Sequence, residues 1–155
     1  MLRKQLLSII AMVMLAANVM AEDAPAEAQP KLTDEQALQQ AARLMFDQVV
    51  YVATYCKSHL PYAELDYKGV IKHTRGLLGE DNIKMEIPGY FIAQNAANKT
   101  LRGGLLEPMT REGKLTEFCT TYVEGSSKLD KTTFWKTAEK AAEKYKQQRD
   151  AQPDA

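Results

Sequence analysis

Two cysteines, Cys56 and Cys119, stand 63 positions apart in the chain. Their pairing is the tightest constraint the sequence places on the fold, because a bridge obliges two distant segments to pack with these positions face to face. The start of the chain makes pairing the expected state. MLRKQLLSIIAMVMLAANVMA has a basic n-region at Arg3 and Lys4, an apolar run over 6–17, and short side chains before Ala21. That is the pattern of a cleavable secretory signal over residues 1–21, with an apolar core too short to span a bilayer comfortably. Export delivers the chain to an oxidising compartment, where disulfides form and persist. Closing a loop of this length contributes about 4 kcal/mol in the chain-entropy model. The expected location is the periplasm or the extracellular medium. No cysteine follows the apolar run, which argues against a lipid anchor, and no stable membrane insertion is expected after cleavage.

Cleavage leaves 134 of the 155 residues, enough for one domain with one core. Those residues hold 18 basic and 20 acidic side chains. A nucleic-acid binder would show a basic excess, so that class is set aside. Residues 22–32 are rich in Ala, Pro and Glu and read as a flexible leader. A helical domain is expected over 33–149, with a disordered tail over 150–155.

Helical periodicity runs through that domain. Thr33-Asp34-Glu35-Gln36 forms a capping box, and beyond it Leu38, Ala42, Met45, Val49, Val52 and Cys56 recur at steps of four and three. Three later segments repeat one punctuation, a proline before and a glycine after: Pro61 to Gly79, Pro88 to Gly103-Gly104, and Pro108 to Gly125. The second helix turns Tyr62, Leu65, Val70, Thr74 and Leu77 or Leu78 inward, the fourth Leu115, Phe118, Cys119 and Tyr122. A last helix, about Asp130 to Gln148, buries Phe134, Ala138, Ala141 and Tyr145, with Lys136, Lys140 and Lys144 on a solvated face. Residues 83–87 suggest a short extended piece, and no segment alternates with period two. The fold class is therefore all-α, a four- to five-helix bundle stapled by one disulfide and preceded by a cleavable signal peptide.

The chemistry-bearing residues are few. A sulfur in a disulfide is neither a metal ligand nor a nucleophile, so Cys56-x-x-His59 makes a poor metal signal. No metal and no cofactor are expected. His59 or His73 with Glu64 and Asp66 is the nearest acid/base constellation, and no catalytic motif accompanies it. The chain is read as a non-enzyme, with a small hydrolase ranked last. Asn98-Lys99-Thr100 matches a glycosylation acceptor, which matters only in a eukaryotic secretory pathway.

Two surfaces stand out for binding. Tyr51, Tyr55, Tyr62 and Tyr67 gather around Cys56, either as a recognition surface or as rings that cover the bridge. Gln94, Asn95, Asn98 and Arg102 make the third helix unusually polar. The functional expectation is binding to another exported protein, as an inhibitor, immunity protein or envelope accessory factor. The alternative is a periplasmic holdase-like chaperone. Leu32-Thr33-Asp34-Glu35-Gln36 resembles one copy of the L-T-x-x-Q motif of small helical periplasmic stress chaperones. Those proteins carry two copies, whereas Leu115-Thr116-Glu117-Phe118-Cys119 lacks the Gln. The resemblance covers five residues, which a capping box explains equally well.

Overall fold

A computed structural model describes residues 30–153. The expected signal peptide and residues 22–29 of the leader lie outside the described residues, as do 154–155. All the regular structure among the described residues is helical: α1 (Asp34–His59), α2 (Tyr67–Leu78), α3 (Glu80–Lys84), α4 (Tyr90–Leu101), a π-helical turn (Arg102–Leu106), α5 (Glu107–Arg111), α6 (Leu115–Ser127) and α7 (Lys131–Ala151). With the unbroken rod from Tyr90 to Arg111 taken as one helix there are six, one more than the upper expectation. No helix among them is long and apolar enough to cross a membrane.

The long first helix forms as its sequence requires. Thr33 Oγ1 accepts from the Gln36 N–H at 3.2 Å, and Gln36 Oε1 accepts from the Thr33 N–H at 3.0 Å. Leu32 and Ala37, on either side of this box, are buried in one cluster, the arrangement of a hydrophobic staple. Leu32 therefore belongs to the domain rather than to the leader. Its N–H donates to the Tyr145 hydroxyl and its carbonyl accepts from Arg149 Nη1, which also pairs with Asp34. The last helix likewise continues through Asp150 to Ala151, two residues assigned from sequence to the tail.

Helix α1 is the axis of the molecule and packs against α7, α2, α4 and α6. Ala42, Met45, Val49, Val52 and Cys56 of the expected stripe are buried, and Leu38 is half-buried. The buried residues fall into two apolar clusters. One surrounds the cysteines and draws on the C-terminal half of α1, the start of α2, the end of α4, the π turn and α6. The other joins the N-terminal half of α1 to the end of α2, Ile87, Tyr90 and the inner face of α7. Phe134 and Ala138 are buried on α7 as its periodicity predicts, Ala141 and Tyr145 of the expected inner face are half-buried, and Ala142 is buried beside them.

Several expected boundaries move, each for a local reason. Pro61 does not open α2. Residues 60–66 form a turn, and the Asp66 carboxylate accepts the Gly69 N–H at 2.9 Å to cap a helix that begins at Tyr67. Gly103 and Gly104 do not stop the third helix. Neither glycine has a positive φ, and the chain widens into the π turn, where the Glu107 N–H reaches the Arg102 carbonyl. Side chains five apart align in such a turn, and Arg102 pairs with Glu107 at 2.9 Å across it. The stop comes instead at Gly113, in the left-handed region at φ 71°, between α5 and α6. Gly125 lies inside α6, which runs to Ser127. Ile83 and Lys84 complete α3, so the extended piece expected over 83–87 begins only at Met85.

Candidate functional site

The cysteine corner is built by α1 and α6. Cys56 and Cys119 are fully buried, with sulfurs 2.11 Å apart and Cα atoms 5.9 Å apart. That places the expected pair at disulfide distance, on the facing sides of two packed helices. His59 has no part in it. Its ring stacks on Tyr55, centroids 3.9 Å apart, and its Nδ1 meets the Tyr55 carbonyl at 3.0 Å, which finishes the last turn of α1. His73 meets the Leu129 carbonyl at 2.7 Å, and Asp66 is spent on its cap. The structure thus gives His59, His73 and Asp66 separate local partners rather than one acid/base group, and Glu64 is exposed. Among the described residues no group of three or more His, Cys, Asp or Glu could hold a metal ion.

The four tyrosines near Cys56 divide. Tyr51 and Tyr55 are half-buried against the cysteine cluster, and the Tyr55 hydroxyl pairs with Thr110 Oγ1 at 2.9 Å. Tyr67 is buried within that cluster. Its hydroxyl has no hydrogen-bond partner among the described residues, and burial pushes its pKa up. Tyr62, in the turn before α2, is 96% exposed. Three of the rings thus pack in or against the cysteine cluster, and Tyr62 is exposed to solvent.

The polar third helix has two sides. Tyr90, Gln94, Ala97 and Leu101 share the side that meets the rest of the bundle. The Tyr90 hydroxyl donates to Asp47 Oδ2, and Gln94 Nε2 donates to the same oxygen at 2.9 Å. The Arg43 guanidinium lies over the Tyr90 ring at 4.4 Å while its Nη1 donates to the Met85 carbonyl. Burial raises the Asp47 pKa above its ordinary value, although both hydrogen bonds and the Arg43 charge pull it down. Burial, followed by the neighbouring carboxylate, also raises that of Tyr90. This clamp fixes the first turn of α4 against α1.

A flank of α4 about 100° round from that inward side carries Phe91, Asn95, Asn98 and Arg102 along one stripe, with Ile92 and Lys99 farther round towards solvent, as the 100° step per residue dictates. Phe91 is 74% exposed and Ile92 46%. Of the residues singled out from sequence on this helix, Asn95, Asn98 and Arg102 share the outward stripe and Gln94 turns inward to Asp47. Phe91 and Ile92 were missed. They lie in GYFIAQ, where consecutive apolar residues show no period, and only the surrounding polar stripe at three- and four-residue spacing pointed to them. The chain matches no protein-family model, and no curated protein and no solved structure is significantly similar to it.

Proposed function

We propose that the chain is an exported helical domain that works by binding another exported protein through the outward stripe of α4, with Phe91 as its anchor. The observation that carries this reading is the exposure of Phe91 and Ile92 side by side on a helix that is otherwise firmly seated. Burying a phenylalanine in a partner's pocket gains about 1.5–3 kcal/mol. Asn95, Asn98 and Arg102 continue the stripe as a polar rim. Because the Asp47–Tyr90–Gln94 bonds and Arg43 hold the helix from behind, little ordering cost remains at the moment of binding. Export rests on the signal-like first 21 residues and on the paired cysteines, which suit an oxidising compartment.

The test uses the mature protein as bait in envelope or secreted extract, beside a Phe91→Ala/Ile92→Ala variant and a Tyr62→Ala variant. The expected result is a partner lost with the double variant and kept with Tyr62→Ala. That partner, once purified, should form a stoichiometric complex with the wild type. Both substituted residues of the double variant are exposed, so its thermal midpoint should stay close to that of the wild type. Retention of the same partner by the double variant would refute the assignment. Suppression of aggregation of unrelated unfolded proteins, with no stoichiometric partner, would replace it with the holdase reading.

A further inference from the structure

The two apolar clusters do not meet directly everywhere. Between them lies a thin polar layer: Gln48 of α1, Thr74 of α2 and Ser126 of α6, which are 4%, 1% and 2% exposed. These are the buried polar residues among those described, and all three line one cavity of about 20 Å³. Tyr122 also lines it, and Met45 and Phe134 close it with apolar surface. On the same measure a single water needs roughly 10–15 Å³.

The polar groups around this cavity are complementary to one neutral, water-sized molecule. Gln48 Nε2 has no hydrogen-bond partner among the described residues. The Thr74 hydroxyl donates to the Val70 carbonyl at 2.9 Å, so its oxygen is left to accept. Ser126 can accept or donate, and the Tyr122 phenol can donate. Two donors and two acceptors match the four bonds of a water. Among the described residues no cationic or anionic side chain lines the cavity, so none of them would balance an ion there.

We propose that this cavity is a binding site for a single structural water, donated to by Gln48 and Tyr122 and donating to Thr74 and Ser126, which joins α1, α2 and α6 between the two halves of the core. A high-resolution crystal structure of the mature protein tests it directly. One peak of solvent density within hydrogen-bonding distance of Gln48 Nε2 is expected. No density there, or a Gln48 amide bonded to another protein group, overturns the proposal. A second measurement is independent of crystals. Water-deuteron relaxation dispersion counts long-lived internal waters, and the wild type should exceed a Gln48→Met variant by one. Methionine has a similar volume and no amide. Equal counts in two folded proteins also overturn the proposal. If Gln48→Met does not fold, the wild-type density alone decides.

Discussion

Breaking the Cys56–Cys119 link is the perturbation whose cost can be worked out most directly. The cysteines are 63 residues apart, and the loop between them contains α2 to α5 and the first turn of α6. Freeing that loop in the unfolded chain costs about 4 kcal/mol of stability in the chain-entropy model. With a urea slope of about 1–3 kcal/mol per M, the unfolding midpoint should fall by roughly 1.3–4 M on reduction. The comparison is best made between oxidised and reduced wild type. A Cys56→Ala/Cys119→Ala variant would also remove two buried sulfurs and add a cavity term. The assay is urea unfolding followed by far-UV circular dichroism, after mass spectrometry of the alkylated, unreduced protein. Recovery of two alkylatable thiols without reductant would show that the bond does not form. Midpoints within about 0.5 M of each other would show that the loop argument fails even where it does form.

Two further outcomes follow from single side chains. Phe134 is fully buried beside the polar layer, so Phe134→Ala should cost about 3–5 kcal/mol, read as a fall in the urea midpoint with unchanged slope. Asp47 gives a pH signature. Its folded pKa is raised above the ordinary value of 3.8, so ionising it takes stability away. That penalty is absent below 3.8 and complete once the pH exceeds the raised folded value. The stability of Asp47→Asn relative to wild type should therefore improve as the pH rises from below 3.8 through the raised folded value. A difference that does not change with pH would mean that burial does not dominate at this carboxyl.

What the sequence revealed and what it concealed divide along physical lines. The capping box at Thr33 and the inward stripe of α1 depend on local spacing and appear where periodicity places them, while the inner face of α7 is turned slightly, burying Ala142 and leaving Ala141 and Tyr145 half-buried. The cysteine pair was legible because the even cysteine count and the apolar position of each cysteine on its helix agreed. Helix starts were less legible, because Pro61 and Asp66 are both good starting signals five residues apart. The later one is used, and this moves the buried ring from Tyr62 to Tyr67. Gly103-Gly104 misled for a different reason. A glycine inside a helix costs only about 1 kcal/mol relative to alanine, and burial of Leu101 and Leu106 on either side offsets that. The polar layer was not legible because Gln48, on the flank of the inward stripe three residues after Met45 and four before Val52, is polar, and only the packing of α2 and α6 over that flank shows it enclosed.

The same geometry explains why α4 is suited to present a surface. Tyr90 at its start belongs to the α7-side cluster, while Leu101 at its end belongs to the cysteine cluster. The helix therefore lies across the junction of the two halves, with an anchor in each. Its outward stripe spans the same length, from Phe91 above the Asp47 clamp to Arg102 at the π turn. The widened turn matters here. By inserting one extra residue it lets Leu106 remain buried against the cysteines while Arg102 and Glu107 stay paired on the outside. An unbroken α-helical register would rotate everything beyond Leu101 by about 100° and could not satisfy both. The π turn is thus what allows an exposed face and a buried hydrophobic end to coexist on one rod.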